Sequence, residues 1–360
     1  MSSVSKIPLL VTHDGSVDEF ASIALLCGED FQTHYDLKGV VVINGDTLGV
    51  PAYWCTKRIL HMCGRPDIPL ELSNARAVNG FPWAYRQFPL ILNMLPALPE
   101  IDEQPQVCPD NNILLRSIVE DADDGALVVL NLGGLTPFAQ VLGDLNLWHK
   151  IKAMYWMAGA FDTVVGGEQV PAVGNIDAGI VPGAPMHSEW NVFFDPDAVK
   201  QVYDNLHPAE IYQFPLNVTN AYPNSAQWIR QEMNPHARDS RVIDFLANAY
   251  AAVVPQGGAS LWDIVTTIGL MNEFQHEDKK FFSYNTRDIV VETNYGPNEG
   301  RLIDAKNGGG RKLFVAKPFL GNEVNANGKD KTSLNKLHNE AIDRVKNYAI
   351  CQWRSIPNIK

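Results

Sequence analysis

The stretch Ile7–Glu19, IPLLVTHDGSVDE, decides the fold class of this chain. Its apolar first half predicts a β-strand buried in a parallel sheet, and the residues from Asp18 onward predict the helix that follows. Three acidic side chains, Asp14, Asp18 and Glu19, would then converge at the carboxyl end of the strand, where open α/β sheets bind their ligands. Like charges this close repel one another strongly unless a cation lies among them. Because hard oxygen ligands suit Ca²⁺ or Mg²⁺, the stretch predicts a divalent metal site.

Strand-like and helix-like segments alternate along most of the remaining chain. This pattern predicts an α/β fold with a Rossmann-like core: an open, mostly parallel sheet with helices on both faces. Strands are predicted within residues 7–13, 38–43, 126–130, 152–157 and 209–213, with late and antiparallel strands at 287–292 and 313–318; helices are predicted at 18–26, 53–62, 111–120 and 331–348 and from 136 onward. Two stretches rich in proline, glycine or aromatics, 74–109 and 162–185, predict long loops over the pocket. Because no repeat or low-complexity linker interrupts the chain, we expect a single domain, 1–360.

The composition of the 360 residues limits the classes of function. A net charge of −12 and a pI near 5.2 argue against nucleic acid as a partner, because such binders carry a basic face, and favour a small ligand. No apolar run is long enough to cross a membrane, and residues 1–6 are too short and polar for a secretion signal. The five cysteines form no CxxC pair, which predicts reduced, mostly buried thiols in a cytoplasmic or another reducing intracellular compartment.

Two further segments carry candidate site residues. Ser260–Val265, SLWDIV, places Asp263 near the start of an apolar helix, where it either caps that helix or belongs to the functional site. Glu189 and Asn191 alternate with a tryptophan, a pattern that allows both to point into one cavity.

A turn rich in aspartate after an apolar strand is also typical of the magnesium-dependent phosphatases similar to haloacid dehalogenase. In those enzymes the first aspartate of a DxD pattern is the nucleophile, and this chain has Thr12 in that place. The phosphatase hypothesis therefore lacks its central chemical group, and it is kept as the enzymatic alternative.

Taken in order, these and other segments resemble the nucleoside hydrolases, the inosine–uridine-preferring family, over about residues 7–320. The matching segments are 13–19 (HDGSVDE), 40–48 with Asp46, 64–69 (GRPDIP), 132–135 (LGGL), 157–160 (MAGA), 189–191 (EWN) and 262–263 (WD). The resemblance implies the nucleoside hydrolase fold and a calcium-dependent cleavage of the N-glycosidic bond of a nucleoside, which releases free base and ribose.

The resemblance also implies a set of metal ligands. The family pattern begins Asp-x-Asp-x-x-x-Asp-Asp, and this chain departs from it with Thr12 for the first acid and Glu19 for the last. By resemblance, Asp14 binds Ca²⁺ and activates the attacking water, and Glu19, Asp263 and the backbone carbonyl of Leu132 are the other calcium ligands. Glu19 has to reach one methylene further than an aspartate, which the tolerant coordination geometry of calcium allows.

The ribose contacts of the family fall on Asp18, Asn175, Glu189 and Asn191 of this sequence.

The base preference follows from the residue before the distal aspartate. Members that accept pyrimidines carry a histidine there, whereas this chain has Trp262. This is similar to the purine-specific subgroup, which stacks the base between two aromatic rings, and Asp46 also matches an aspartate of that subgroup. The second ring falls on Tyr85 or Trp83, and the sequence leaves both open.

The resemblance therefore implies a purine nucleosidase, with inosine and guanosine favoured, that forms a homodimer or homotetramer. A non-catalytic nucleoside-binding protein is the alternative from another class, if Glu19 prevents metal binding.

Overall fold

The computed structural model describes residues 5–82, 86–101, 111–165, 167–177, 181, 183, 185–253, 260–318 and 331–358. Trp83, Tyr85 and Cys108 lie outside the described residues.

Eleven strands are found in the described ranges, and nine of them form one sheet. The strands are Ile7–His13 (β1), Tyr35–Asn44 (β2), Leu70–Arg76 (β3), Leu127–Leu132 (β4), Ile151–Met157 (β5), Thr163–Val165 (β6), Glu168–Val170 (β7), Glu210–Phe214 (β8), Phe282–Val291 (β9), Leu302–Asp304 (β10) and Arg311–Pro318 (β11). The order in the large sheet is β10-β9-β11-β8-β5-β4-β1-β2-β3, and β9 pairs antiparallel with both β10 and β11. The other pairs are parallel, and β6 and β7 form a separate antiparallel hairpin.

Helices connect these strands. They are Val17–Leu26 (α1), Glu29–His34 (α2), Gly49–Met62 (α3), Phe88–Leu92 (α4), Ile113–Asp121 (α5), Thr136–Leu145 (α6), Trp190–Phe193 (α7), Pro196–Asn205 (α8), Leu216–Thr219 (α9), Ala226–Trp228 (α10), Asn234–Ala237 (α11), Arg241–Val253 (α12), Trp262–Gly269 (α13) and Lys331–Ser355 (α14). A π-helical turn, Ile229–Met233, joins α10 to α11.

The strand order explains where a ligand site belongs. From β1 the chain moves outward to β2 and β3 on one side and then continues with β4 on the other side of β1. The crevice outside the carboxyl ends of β1 and β4 is therefore the topological switch point, the usual ligand site of doubly wound sheets.

The sheet is covered on both faces because its central strands alternate apolar side chains between two buried clusters. In β1, Leu9 and Val11 belong to the cluster packed by α1, α3, α12, α13 and α14, whereas Leu10 belongs to the cluster packed by α5, α6 and α8. This arrangement confirms the predicted α/β fold, and it makes β1 a rigid support for the residues that follow it.

The predicted elements are found, with some differences at their ends. The late strands are antiparallel as expected, and the last helix continues to Ser355. The long loop predicted at 74–109 is partly wrong, because it includes the end of β3 and the short helix α4. The loop predicted at 162–185 contains the β6–β7 hairpin.

In the described part of the chain, no helix is both long and apolar enough to cross a membrane. The four described cysteines are unpaired, and Cys27, Cys55 and Cys63 are buried while Cys351 is exposed. The expected compartment and the single domain stay predictions.

Candidate active site

Asp14 is the first residue after β1 and lies directly at the switch point. The turn is built by Gly15, whose φ of +87° is a conformation that side-chain-bearing residues rarely adopt. A Cβ at Gly15 would also lie 2.6 Å from Oγ1 of Thr47, which itself donates a 2.6 Å hydrogen bond to the Asp14 carbonyl. The backbone N–H of Asp46 donates to Oδ2 of Asp14 over 3.1 Å. The loop after β2 therefore fixes both the backbone and the carboxylate of Asp14.

Five carboxylates gather around this point. Asp14, Glu19 and Asp46 place one oxygen each within 4.8 Å of one another, and so do Asp18, Glu19 and Asp263. Glu19 belongs to both groups, so its side chain joins acids that come from the beginning and from the last third of the chain.

Several of these oxygens have no hydrogen-bond partner in the part of the chain that the structure describes. They are Oε2 of Glu19, Oδ1 of Asp46 and Oδ1 of Asp263, and all three are buried. A buried acceptor without a partner costs stability, and a buried charge is ordinarily paired or bound to a metal.

The pKa values of these acids also indicate that they lack a counter-charge. Burial raises the pKa of Asp14 and of Asp18 above the ordinary carboxyl range. Burial raises the pKa of Glu19, Asp46 and Asp263 well above that range, and repulsion from neighbouring carboxylates raises it further. A divalent cation reverses this balance, because it stabilises the ionised form of each neighbouring acid.

The donor set fits a hard divalent cation. Carboxylate oxygens are the ligands that calcium and magnesium prefer, and the three orphaned oxygens are free to bind one. A backbone carbonyl is also close, because Leu132 ends β4 opposite His13, the residue before Asp14. The residues predicted as metal ligands are thus brought together, although their role as ligands stays a prediction.

Asp263 does not cap its helix. The N-cap of α13 is Leu261, whereas Asp263 is the second residue of the helix, and its Oδ1 has no hydrogen-bond partner among the described residues. Its backbone N–H instead donates to Oδ2 of Asp18 over 3.2 Å, across the contact between α1 and α13. The capping alternative considered for this residue is therefore wrong.

Glu189 and Asn191 lie together for a different reason than the alternation suggested. They are not on an extended segment: Glu189 is the N-cap of the helix α7, and its Oε1 accepts the N–H of Asn191 over 3.0 Å. Its Oε2 accepts the N–H of Gly159, after β5, over 2.9 Å. Burial raises the pKa of Glu189 to about 7. The amide of Asn191 donates to the Met157 carbonyl over 2.9 Å, so both side chains are tied to the carboxyl end of β5.

Asn175 approaches the same place. Its Oδ1 accepts the backbone N–H of Trp190, between Glu189 and Asn191, over 3.1 Å. The ring of Trp190 points away into an aromatic cluster, where it packs edge to face on Phe81 at 4.7 Å between ring centroids. Phe81 thereby anchors the start of the segment that carries the predicted stacking residues Trp83 and Tyr85, which lie outside the described residues.

Trp262 is partly buried and directly precedes Asp263. Its indole N–H donates to Oδ1 of Asn220 over 2.8 Å, which fixes the plane of the ring. The sequence did not reveal Asn220, because it lies 42 residues away just after α9 and no local pattern links it to α13.

Tyr250 was missed as well. This residue of α12 is fully buried, and its hydroxyl has no partner among the described residues. Burial raises its pKa, and the charges of Asp18, Asp263 and Glu19 raise it further, so the hydroxyl lies within the electrostatic range of these acids. In the sequence Tyr250 looks like an ordinary core position of an amphipathic helix.

A polar chain holds the turn after β4 against Asp14. Thr12 donates a hydrogen bond to Oδ1 of its strand partner Asn131, and Asn131 donates to the Gly133 carbonyl over 2.6 Å. The indole N–H of Trp156 donates to the same carbonyl over 2.9 Å. A Cβ at Gly133 would lie 3.2 Å from the Asp14 carboxylate, so the backbone approaches that acid closely.

The sequence and the fold are similar to those of known proteins. The family model described as inosine-uridine preferring nucleoside hydrolase matches residues 9–341. The chain belongs to this family. Nucleoside hydrolases are metal-dependent hydrolases that act on N-glycosyl compounds, so the resemblance seen in the sequence is confirmed at this level, and a nucleoside is the substrate class.

Solved structures agree with this nucleoside hydrolase assignment. An inosine-uridine preferring nucleoside hydrolase from Bacillus anthracis has 27% sequence identity and a TM-score of 0.75, over 96% of this chain and 100% of that chain. A plant nucleoside hydrolase, the PpNRh1 enzyme, has 18% identity and a TM-score of 0.66, over 94% and 99%. A purine-preferring ribonucleoside hydrolase from Gardnerella vaginalis has 17% identity and a TM-score of 0.65, over 95% and 99%. At the two lower identities the likeness shows the fold. A comparison with curated proteins gave no match.

Proposed function

We propose that this nucleoside hydrolase is a calcium-dependent purine nucleosidase that cleaves inosine and guanosine to free base and ribose. The observation that carries the proposal is the position of Glu19 within 4.8 Å of carboxylate oxygens from both acidic groups, with its own Oε2 lacking a partner in the described chain. Glu19 replaces an aspartate among the metal ligands that the family resemblance implies, and this replacement could have removed a ligand. Its longer side chain still places a carboxylate between Asp14 and Asp263.

The metal would be held by Asp14, Glu19, Asp263 and the carbonyl of Leu132. When bound, calcium orients the ribose hydroxyls and makes a coordinated water more acidic. Asp14 is the general base in this proposal, because its carboxylate is fixed by the Asp46 N–H and can take the proton of the attacking water. The water oxygen adds to C1′ of the ribose while the C1′–N bond breaks, and its electron pair leaves with the base.

The ribose would be bound on the side of β5. Glu189 is held by two backbone N–H groups, from Gly159 and Asn191, so its carboxylate needs little reordering to accept sugar hydroxyls. Asp18, Asn175 and Asn191 complete the set of hydrogen-bonding groups. The negative potential of these acids favours the positive charge that develops on the sugar ring in the transition state.

The base would stack on Trp262. A ring fixed through its N–H by Asn220 offers its face to a planar ligand at small entropic cost. A purine that gains a proton on departure is further stabilised by a cation–π contribution of about 1–2 kcal/mol. Trp83 or Tyr85 would supply the opposite ring, and Asp46 faces the same substrate.

A kinetic panel tests this proposal. Inosine, guanosine, adenosine, uridine and cytidine are assayed with calcium, with excess chelator, and after calcium is restored. We expect kcat/KM for inosine and guanosine to exceed that for uridine by at least about tenfold, since the stacking area and proton affinity of the base differ. Chelator should abolish turnover and calcium should restore it. Equal rates on uridine would refute the purine preference, and full activity in chelator would refute the metal dependence.

The alternatives are decided by the same samples. Membership of the nucleoside hydrolase family sets the phosphatase hypothesis aside, and release of phosphate from p-nitrophenyl phosphate would reopen it. Calorimetry that shows inosine bound with calcium but never consumed would support a non-catalytic nucleoside-binding protein. A homodimer or homotetramer is our expectation for the assembly, and sedimentation velocity measures it.

A further inference from the structure

A second cavity lies at the opposite end of the sheet from the carboxylates. Its volume is about 350 Å³, and it is enclosed by α8, the end of β9 and the start of β11. Arg311 is the first residue of β11, which runs parallel to β8, so the cavity opens at the amino ends of the parallel strands. Strands of this length place it on the order of 20 Å from Asp14. This space, called the Arg311 cavity below, is therefore separate from the nucleoside site.

Arg311 is one of the charged residues that line this cavity. Arg311 is 7% exposed, its Nη2 donates to the Ala209 carbonyl, and its Nη1 lies 2.7 Å from Nδ1 of His207. Its Nε–H is buried and has no acceptor among the described residues. Burial lowers the pKa of Arg311, and the nearby Tyr203 opposes this effect.

No carboxylate pairs with Arg311 in the described part of the chain, although the protein carries a net charge of −12. A buried cation without a partner anion is unusual, because charged side chains are almost never buried unless they are paired. Asp204 also lines the cavity, but it forms an ion pair with Lys200 on the same helix. The positive charge of Arg311 therefore has no partner anion among the described residues.

The remaining walls leave room for an organic group. Ile289, Val290 and Val291 of β9 supply an apolar side. Gly310 is closely packed beside them, because a Cβ there would lie 2.7 Å from Cβ of Ala305 and 2.8 Å from the Ile289 backbone, so the space of the cavity lies away from this glycine. Apolar surroundings strengthen the attraction between a guanidinium and an anion.

We propose that the Arg311 cavity binds a small organic anion through Arg311, with His207 and Lys200 at its rim. The shared chemistry is a pair of anionic oxygens, as in a carboxylate or a phosphate monoester, attached to a compact apolar group. Guanidinium groups bind such oxygen pairs in a planar, two-point geometry.

Isothermal titration of the full-length, calcium-loaded protein tests the proposal with three probes of similar size. Phenyl phosphate and benzoate distinguish the phosphate from the carboxylate, and benzyl alcohol is the neutral control. We expect one equivalent of one of the two anions to bind, and benzyl alcohol to give no saturable heat. Loss of the charged hydrogen bonds in Arg311→Gln should weaken binding at least about tenfold. Lys312→Gln is the matched control, because it removes one positive charge from the next, exposed residue and should leave the affinity unchanged.

Three results would overturn the proposal: no saturable binding of either anion, equally strong binding of the alcohol, or the same affinity in Arg311→Gln and Lys312→Gln. If Arg311→Gln does not fold, the double variant Lys200→Gln/His207→Gln replaces it, since both side chains lie at the rim. An unchanged affinity for the anions in that double variant would then reject the cavity as their site. None of these readouts depends on nucleoside hydrolysis, so the proposed function can fail without affecting this test.

Discussion

Substitution of Glu19 by glutamine removes one negative charge from the point where the two acidic groups meet and hardly changes the side-chain volume. Each neighbouring carboxylate oxygen lies within 4.8 Å of an oxygen of Glu19. At this distance two unit charges repel by at least about 3 kcal/mol for an effective dielectric constant of about 20. Because protonation relieves part of this repulsion in the metal-free protein, we expect a net stabilisation of about 1–3 kcal/mol in chelator.

The same substitution should have the opposite effect when calcium is present. Calcium stabilises the folded state by an amount that grows with the logarithm of its binding constant for that state, and the variant has lost a carboxylate that lies in both groups of acids. We therefore expect Glu19→Gln to melt a few degrees higher than the wild type in excess chelator, and to gain clearly less from added calcium. Scanning calorimetry over a calcium titration measures both effects in one series.

The pH dependence of the melting temperature in chelator gives a second test of the predicted repulsion at Glu19. A carboxyl group whose pKa is raised in the folded state stabilises the fold below its ordinary pKa, and this contribution is lost as the pH rises through the folded value. For Glu19 the ordinary value is 4.5 and the folded value lies well above it. The melting temperature in chelator should therefore fall as the pH is raised from about 5 to about 8. In Glu19→Gln the fall should be smaller, although Asp46 and Asp263 keep part of it.

Glu120→Gln is the matched control, since it removes an exposed carboxylate near the end of α5, and it should change neither the calcium response nor the pH slope. If Glu19→Gln and the wild type show the same calcium titration and the same pH slope in chelator, Glu19 does not lie among the carboxylates in the way described here.

Three further predictions concern the other side chains of the site. Asp14→Asn should lower kcat on inosine at least about a hundredfold, because the general base is lost; stopped assays with free-base detection measure this. Asp263→Asn keeps the backbone hydrogen bond to Asp18 and loses a metal-facing charge, so calcium affinity in titration calorimetry should fall by more than the roughly 10–100-fold typical of outer-shell partners. Trp262→Ala should reduce kcat/KM for inosine more than for uridine, and Asn220→Ala, which leaves the indole unfixed, should raise KM for inosine roughly fivefold; unchanged inosine kinetics in both variants would contradict the stacking role.

The sequence could predict the sheet and the convergence of Asp14, Asp18 and Glu19 because both follow from local patterns combined with one topological rule. That Asp263 joins these acids was implied only by the resemblance to the family. Asp14 and Leu132 each end an apolar strand, and strands that are neighbours at a switch point bring their ends together. Asp263 could be placed in the first turn of a helix, but its choice between capping and facing Asp18 depends on how α13 packs on α1, which no spacing encodes.

The sequence could not predict features that depend on the conformation of loops and on contacts between distant elements. Glu189 and Asn191 lie close to each other because a short helix, rather than an alternating segment, carries them, and no local pattern indicated that helix. Asn220 and Tyr250 belong to the site only through the tertiary fold. Asn220 accepts the indole N–H of Trp262 from another helix, and Tyr250 is a buried residue within the electrostatic range of the acids.

The two departures from the family pattern have different physical consequences, which explains why one chain carries both. At Thr12 a charge is replaced by a neutral hydroxyl that bonds to Asn131, and through Asn131 and the Gly133 carbonyl it supports the turn beside Asp14. A carboxylate in that position would add a sixth acid to five that already repel one another, whereas the threonine lowers the charge and keeps the turn in place. At Glu19 the charge is kept and only the side chain is longer, so a carboxylate still lies between the two groups, where the proposed cation would bind. The family pattern therefore differs at Thr12, where a neutral hydroxyl supports the turn beside Asp14. It keeps its negative charge at Glu19, where the proposed cation would bind.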